Sequence, residues 1–324
     1  MHQMKNILIG LIMTFSMVLS LGFFAMAAEY PTKPINMIVP WPAGGSGDIV
    51  GRTLSEAAKK DLGQPIIVEN KPGAGGNMGA TLILTKPPDG YTIGTTSTNA
   101  LVISYHTGLL NFHPVNDMTH IMRLAGLFHG IVVRADSPWM TIQEFIKYSK
   151  DNPEKVSYGS PGMTSATRLA MEELASMAGD VKWVHIPLKG EAETNSNLLG
   201  GHVDAIANSG WAPLVDAGKF RALATFGSQR NSRFPQVPTL KEIGYNVVWD
   251  GPAGLFGPKG MPKPIVKKLQ DAFRKGMDDP NFQNALKRLE MPALFLNSED
   301  CEKAVRQESE RIERLVKKLG LQKK

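Results

Sequence analysis

The stretch Ile38-Val39-Pro40-Trp41-Pro42-Ala43-Gly44-Gly45-Ser46-Gly47-Asp48 decides the fold, because a short apolar strand runs into a loop of small residues and then into a helical pattern. Two further stretches, Val68 to Asn77 and Val156 to Ser165, are built in the same way. Backbone N–H groups at a helix start have no partner within the helix and carry partial positive charge. Each junction therefore favours the binding of a small anion without a basic side chain.

The glycines of these loops could serve only as tight turns, or they could line a shared ligand cleft. Nucleotide-binding motifs are absent from the sequence. No stretch matches the Walker A pattern, and Met78 stands where the last glycine of a dinucleotide fingerprint would follow Gly73 and Gly75. Three loops of one type, each at the end of a predicted strand, favour a shared cleft over isolated turns.

Strands and helices alternate along the chain in two series, which predicts an α/β fold. The first series has strands at 35–40, 65–69 and 91–96 and helices at 48–62 and 79–85. The second series has strands at 155–159, 181–186, 203–208 and 220–226 and helices at 164–178 and 191–199. Helices are also predicted at 141–149, 264–277, 281–289 and 299–319.

Two extended apolar segments, 121–133 and 247–256, are predicted to cross between the two series. They divide the chain into a first lobe of residues 28–127 plus 250–324 and a second lobe of residues 128–249. Each lobe is expected to be a mainly parallel sheet covered by helices. Open α/β sheets bind ligands at the carboxyl ends of their strands, so we expect a site in the cleft between the lobes.

Residues 1–27 are predicted to form a signal peptide that is cleaved after Ala27. Lys5 supplies a positive charge, residues 7–24 are apolar, and Ala25 and Ala27 provide the small residues of a cleavage site. The apolar run is also close to membrane-spanning length, so a retained anchor is the alternative. The only cysteine is Cys301, and an exported chain without disulfides is typical of a bacterial periplasm.

The composition argues against nucleic-acid binding and against catalysis. The formal net charge is +6, but the basic residues are spread out rather than gathered with aromatic residues in a stripe. No two histidines have the spacing of a helical zinc pair, and the Gly-x-Ser-x-Gly nucleophile motif is absent. The acidic neighbours of Cys301 would raise the pKa of its thiol. We therefore predict no catalytic residue, no metal site and no cofactor.

Two kinds of side chain near the loops have alternative roles. Asp48 could stabilise the helix start as a first-turn acid, or it could orient water or accept a hydrogen bond from a ligand. Trp41, Trp211 and Trp249 each stand beside a loop at a predicted strand end, where they could fill the core or form walls of the cleft. The sequence leaves both questions open.

An ordered set of motifs covers nearly the whole of the predicted mature chain. Its members are Tyr30-Pro31-Thr32-Lys33-Pro34-Ile35, Val39 to Gly45 with Asp48 and Arg52, Val68 to Gly76, Pro88 to Thr92, Ser160-Pro161-Gly162, His185 to Gly190, Leu199 to Asp204, Arg221 to Ala224, and Val237-Pro238-Thr239. With these motifs the chain resembles the substrate-binding proteins of tripartite tricarboxylate transporters, also called the Bug family of periplasmic receptors. The resemblance implies a two-lobed clamshell, similar to type II periplasmic binding proteins, that closes on a small carboxylate.

The resemblance also implies which residues hold the ligand, because backbone amides, hydroxyls and ordered waters hold the carboxylate in this family. By motif position, the expected ligand-binding residues are Pro42, Ala43, Gly44, Gly45, Ser46, Asp48, Ser97, Asn99, Ser160, Gly162, Thr164 and Ser165. Trp41 and Asn208, beside loops at predicted strand ends, are also expected to contact the ligand. The implied partners are a small carboxylate and the subunits of a membrane transporter. The protein is expected to be a periplasmic monomer without a cofactor.

The chain departs from the family pattern at three places. Ser46-Gly47 precede Asp48 where a threonine is frequent, Met163 stands in the second-lobe loop, and Asn208-Ser209-Gly210-Trp211 replaces an aromatic or acidic residue. These differences concern the far end of the ligand, which could be a dicarboxylate, a tricarboxylate, an aromatic acid or an amino acid. A receptor that feeds a signalling sensor and an exported α/β enzyme are the alternative functions.

Overall fold

The computed structural model describes residues 30–322, so the predicted signal peptide at 1–27 lies outside the described residues. The described residues form two β-sheets. The first sheet has the order β11-β4-β10-β3-β1-β2, with β1 (Ile35–Val39), β2 (Ile66–Asn70), β3 (Thr92–Ser97), β4 (Met118–Ala125), β10 (Ala253–Pro258) and β11 (Ala293–Leu296). The second sheet has the order β7-β6-β8-β5-β9, with β5 (Gly130–Arg134), β6 (Ser157–Ser160), β7 (Val184–Pro187), β8 (Ala205–Asn208) and β9 (Phe220–Thr225).

Helices pack against both sheets, and the predicted α/β fold class is confirmed. They are α1 (Ser46–Leu62), α2 (Asn77–Leu84), α3 (Thr98–His106), α4 (Ile142–Asp151), α5 (Ala166–Met177), α6 (Glu191–Leu199), α7 (Ala212–Asp216), α8 (Lys263–Gly276), α9 (Pro280–Arg288) and α10 (Ser298–Lys318). No helix within residues 30–322 combines the length and the apolar character needed to cross a bilayer. We call the first sheet with its helices the first lobe, and the second sheet with its helices the second lobe.

The expectation of mainly parallel sheets is wrong, because both sheets are mixed. Strand β1 is parallel to β2 and β3, but β10 is antiparallel to β3 and β4, and β11 is antiparallel to β4. In the second sheet β6 is parallel to β7 and β8, whereas β5 is antiparallel to β8 and β9. Two strands pair in parallel where a crossover helix returns the chain to the end of the sheet at which the previous strand began. The strands that enter from the other lobe have no such crossover helix.

The chain passes between the sheets twice. Residues 126–129 connect β4 directly to β5, so the extended segment predicted at 121–133 is divided between two sheets. The return runs through residues 226–252, which end in β10. The parallel βαβ units keep the loops after β1, β2 and β3 at one end of the first sheet, and the loops after β6 and β8 at one end of the second.

Local signals in the sequence explain where several helices begin and end. Helix α1 stops at Gly63, whose φ of +67° is the left-handed conformation that a glycine adopts readily, and the Gly63 N–H donates to Lys59 O at 2.9 Å. Helix α4 begins with the predicted capping box, because Thr141 and Glu144 each accept a hydrogen bond from the other's backbone N–H. These predictions are confirmed.

Helix α10 joins the cores of the two lobes. Its buried residues include Val305, Ile312 and Val316, which belong to the same apolar cluster as Leu169 of α5 and Val102 of α3. Asn297 caps the helix, since its side chain accepts a hydrogen bond from Asp300 N at 2.8 Å. The C-terminal helix therefore packs against both lobes.

Candidate functional site

The first glycine loop ends at a helix start that no side chain caps. Gly45 is the N-cap of α1, and its geometry provides no side-chain hydrogen bond to the first turn. Gly44 has a φ of +80°, in the left-handed region where a Cβ is unfavourable. The N–H groups of Ser46, Gly47 and Asp48 have no acceptor within the helix, as in any first turn. They form a donor set with partial positive charge at the end of a 17-residue helix.

The buried side chain of Asp48 stabilises this loop through hydrogen bonds. Its carboxylate accepts hydrogen bonds from Gly44 N at 2.9 Å and Asn70 Nδ2 at 2.8 Å, and pairs with Arg52 Nε at 2.9 Å. Burial would raise the pKa of Asp48, but the hydrogen bonds from Arg52, Gly44 and Asn70 outweigh burial and lower that pKa. Both carboxylate oxygens are thus used by the chain itself, and this arrangement favours a loop-supporting role for Asp48.

Trp41 connects the first glycine loop to the second. A Cβ on Gly47 would lie 2.5 Å from Trp41 Cδ1, and a Cβ on Gly76 would lie 3.4 Å from the Trp41 ring, so the ring packs against both glycines. The Trp41 carbonyl also accepts a hydrogen bond from Asn70 Nδ2 at 2.9 Å. Trp211 and Trp249 are each only 1% exposed, and both belong to buried apolar clusters. Of the two roles that the sequence left open, Trp211 and Trp249 therefore fill the core of the protein.

Ser97 and Asn99, the other ligand-binding residues predicted in the first lobe, lie at the start of α3. Ser97 is the N-cap and makes no side-chain capping hydrogen bond, while Thr98 N donates to Pro252 O at 3.0 Å in the returning segment. Asn99 is 1% exposed, and its Oδ1 has no hydrogen-bond partner among the described residues. Because β3 lies beside β1, this helix start and the first glycine loop share one end of the sheet.

Hydroxyl groups, not backbone amides alone, line the loop of the second lobe. Ser160 Oγ lies 2.7 Å from His185 Nε2, 3.0 Å from Ser165 Oγ and 3.2 Å from the Gly162 carbonyl. Ser165 caps α5 by accepting a hydrogen bond from Arg168 N at 3.2 Å. Thr164 is half-buried between them, and Gly162 has a φ of +116° that permits the tight turn. This loop brings Ser160, Gly162, Thr164 and Ser165 together.

The Ser160–His185 contact has the distance of a nucleophile and its general base, but its surroundings differ from a catalytic pair. Burial, reinforced by nearby Arg168, lowers the pKa of His185 to about 4, so the imidazole is neutral at neutral pH. Ser160 is fully buried, and no carboxylate within residues 30–322 hydrogen-bonds to His185. A catalytic base needs a third group that orients it and a nucleophile that a substrate reaches. The pair instead fixes the shape of the loop.

Asn208 lies behind the surface of the second lobe. It is fully buried, and its Nδ2 donates to Asn195 Oδ1 at 3.1 Å and to the Glu191 carbonyl at 3.3 Å. These bonds tie the end of β8 to the start of α6. The Asn208 Oδ1 has no hydrogen-bond partner among the described residues. In this structure Asn208 supports the neighbouring loop from within the lobe.

A cavity of about 180 Å³ has walls from both lobes. It is lined by Ser46, Leu127, Phe128, Glu191, Ser209, Gly210, Trp211, Ala212, Pro213, Arg288, Leu289 and Glu290. Ser46 is the predicted ligand residue in this wall, and Glu191 and Arg288 are ionisable residues that the sequence analysis missed. Glu191 follows Gly190 directly at a helix start after β7, which is the same junction pattern and could have identified it.

A larger recess of about 400 Å³ lies elsewhere, on the outer face of the first lobe between α1 and α9. The ion pair between Lys60 Nζ and Asp279 Oδ2, 2.8 Å long, crosses it, and Arg52 and Glu56 form part of its wall. It holds none of the predicted loop residues. No group of three or more histidine, cysteine or acidic side chains is placed to bind a metal within the described part of the chain.

Comparisons with known proteins agree with this geometry. Residues 50–321 match the family model described as the tripartite tricarboxylate transporter family receptor. A UPF0065 protein from the gbd 5′ region of Cupriavidus necator is 45% identical over 310 residues, which are 94% of this chain and 94% of the relative.

Solved structures extend the comparison to the fold. The periplasmic binding protein BugD is 33% identical, with a TM-score of 0.79 over 91% of this chain and 100% of that chain. MatC from Rhodopseudomonas palustris, solved with bound malate, is 27% identical, with a TM-score of 0.77 over 89% of this chain and 100% of that chain. These matches confirm the predicted two-lobed periplasmic-binding-protein fold.

Proposed function

The chain belongs to the tripartite tricarboxylate transporter receptor family, and we propose that it captures a small carboxylate between its two lobes. The family and the structural neighbours are solute-binding receptors and not enzymes. An exported enzyme is therefore no longer an alternative. The contact between Ser160 and His185 then belongs to a binding loop, with no chemical step assigned to it.

The observation that carries the proposal is the uncapped start of α1 behind the loop Gly44-Gly45. A carboxylate oxygen seated there would accept hydrogen bonds from the free N–H groups of the first turn and would gain from the helix dipole. The acid that could have competed for these groups, Asp48, is turned under the loop and paired with Arg52. The site is thus ready for an anion without a basic side chain of its own.

The second lobe would complete the site with hydroxyl groups. We assign the ligand-facing role to the loop Trp41 to Ser46, to Ser97 and to Gly162, Thr164 and Ser165 of the second lobe. Asp48, Asn99, Ser160 and Asn208 are buried, and their proposed role is to hold these loops, directly or through ordered water. A carboxylate that touches both lobes would bind the closed arrangement better than an open one, which is how a ligand shifts such an equilibrium.

The ligand class and the partner are also part of the proposal. MatC, a structural neighbour at 27% identity, was solved with malate, a small hydroxy-dicarboxylate. By inference from it, this chain takes a small organic acid and delivers it to the membrane subunits of a tripartite tricarboxylate-type transporter.

The remaining expectations stay as proposals about the whole protein. We propose export through a signal peptide at 1–27 that is cleaved, a periplasmic location and a monomeric state. We place the lobe boundaries at 28–127 plus 250–324 and 128–249. The mass of the intact protein recovered from the periplasm tests the cleavage site, and its mass in solution tests the monomer.

A ligand screen tests the function. Purified protein is unfolded thermally with di- and tricarboxylates, aromatic acids and amino acids, and molecules released from gently purified protein are identified by mass spectrometry. A carboxylate that raises the melting temperature and binds with one-to-one stoichiometry supports the proposal. A released ligand without a carboxylate, or chemical turnover of the ligand, contradicts it.

A further inference from the structure

The cavity between the lobes combines apolar walls with very few charges. Leu127, Phe128 and Leu289 are among its apolar lining residues. The ionisable side chains in its wall are Glu191, Arg288 and Glu290. Its volume of about 180 Å³ far exceeds the ~10–15 Å³ that a cavity needs to hold one water, so it has room for a small organic ion.

The two carboxylates of this wall differ in their partners. Glu290 pairs with Arg233, which also pairs with Asp216, so its charge is compensated within the protein. Glu191 makes no ion pair among the described residues, and its Oε1 accepts a hydrogen bond from Ser209 Oγ. Within residues 30–322, no group donates a hydrogen bond to the other oxygen, Oε2. Glu191 therefore presents one free acceptor and an uncompensated negative charge.

Gly210 keeps this free oxygen accessible. Its φ is +69°, and a Cβ at this position would lie 3.3 Å from Glu191 Oε2, tighter than ordinary contact. A side chain there would cover the carboxylate, whereas the glycine leaves it open on that side. The loop after β8 is thus shaped around Glu191 on the cavity side of α6.

A ligand that fills the cavity would exclude water from Glu191. Removing a carboxylate from water is costly unless a donor or a cation replaces the water. The first residue of α1, Ser46, lines the same cavity and belongs to the helix start that would take the ligand carboxylate. We propose that Glu191 selects a carboxylate ligand that also carries an ammonium group, which donates to Glu191 Oε2. The inference rests on the proposed function and narrows its ligand class.

The alternative is that Glu191 only stabilises the start of α6, since an acid in a first turn interacts favourably with the helix dipole. A second alternative is that Arg288 from the first lobe pairs with Glu191 when the lobes close. Both alternatives predict that the amino group of the ligand makes no difference to binding. A measured preference for ligands with an amino group would therefore distinguish our proposal from both alternatives.

Calorimetry with matched acids tests the inference. The pairs are aspartate with succinate, 4-aminobutyrate with butyrate, and 5-aminovalerate with valerate, which vary the distance between carboxylate and ammonium. They are titrated into the wild-type protein, into Glu191→Gln and into the control Glu310→Gln, which makes the same change at an exposed position of α10. Circular dichroism and thermal unfolding confirm that both variants are folded.

We expect the wild-type protein to prefer the amino member of at least one pair by about tenfold or more, the effect of one charge-assisted hydrogen bond. Glu191→Gln should remove this preference by weakening the amino member alone, and Glu310→Gln should keep it. Equal or tighter binding of the amino-free acids by the wild-type protein overturns the inference and leaves the proposed function intact. A preference that persists in Glu191→Gln also overturns it. If the wild-type protein binds none of these acids, the inference is overturned, whereas the proposed function is contradicted only if the wider ligand screen also finds no carboxylate.

Discussion

The two loops that we propose as the carboxylate site offer polar groups by different means. In the first lobe the donors are backbone N–H groups at the start of α1, and Asp48 fixes the loop from behind through Gly44 and Asn70. In the second lobe the proposed groups are the hydroxyls of Thr164 and Ser165, and the buried pair of Ser160 and the neutral His185 fixes their loop. The first loop supplies a fixed electrostatic anchor, and the second supplies groups that can donate or accept.

This difference suggests a division of work between the lobes. Backbone amides cannot rotate, so the first loop specifies where a carboxylate sits. A serine hydroxyl rotates to suit its partner, so the second loop adapts to the ligand and completes the site on closure. Changes in the first loop should therefore damage binding more than changes in the second.

The largest effect is expected for Asp48→Ala, because it removes the acceptor for Gly44 N and Asn70 Nδ2 and the partner of Arg52. Hydrogen bonds to a charged group contribute about 1.5–3 kcal/mol, so the free energy of unfolding should fall by about 2–3 kcal/mol. Affinity should fall more than tenfold because the loop loses its support. Urea unfolding and calorimetry measure both quantities. An unchanged affinity would show that the loop keeps its shape without Asp48.

Gly44→Ala separates backbone strain from ligand binding. Gly44 has a φ of +80° and Gly63 a φ of +67°, and a Cβ at either position would meet nothing within 4 Å. The two alanine variants should therefore lose similar stability, about 1 kcal/mol from the left-handed conformation. Only Gly44→Ala should also weaken ligand binding, by tenfold or more. Equal binding by Gly44→Ala and Gly63→Ala would mean that the loop is only a turn.

The second lobe should respond to acid through His185. Its pKa is lowered from 6.5 to about 4 by burial, so the unfolded chain takes up the proton first as the pH falls. The free energy of unfolding should then decrease between pH 6.5 and pH 4. His129, with a pKa also near 4, contributes in the same window. His185→Gln should make the free energy of unfolding less dependent on pH in this range. His202→Gln, a change at an exposed position, should leave that dependence unaltered. Urea unfolding at several pH values gives the comparison.

The smallest effect is expected from salt. The anchor of the first loop consists of backbone groups, and the ligand would be enclosed between the lobes, where screening is weak. Affinity for a confirmed acid should fall only modestly between low and high ionic strength. A steep loss in calorimetry would indicate that an exposed basic side chain, such as Arg288, makes the main contact.

The sequence predicted the first loop well because its signals are local. Strand β1, the glycines and the stop of α1 at Gly63 are all encoded within about thirty residues. Helix α3 was missed because Leu101, Val102 and Ile103 are all buried, and a helix that is buried on most sides lacks the 3.6-residue pattern. The orientation of Asp48 was also open, since Asn70, one of its partners, lies on a different strand. Strand direction depended on where the chain enters each sheet, which periodicity does not encode.

Hydrogen exchange of backbone amides tests capture by both lobes most directly. The amides of Ser46, Gly47 and Asp48 begin α1, and those of Ala166 and Thr167 begin α5. An acid that raises the melting temperature should slow exchange in both groups, because its oxygens accept hydrogen bonds from the α1 amides and closure of the lobes shields the α5 amides from water. The amide of Lys263, at the uncapped start of α8, serves as the control. Slowing in both lobes with Lys263 unchanged is the predicted result. Slowing confined to one lobe, or absent from Ser46 to Asp48, would contradict the account.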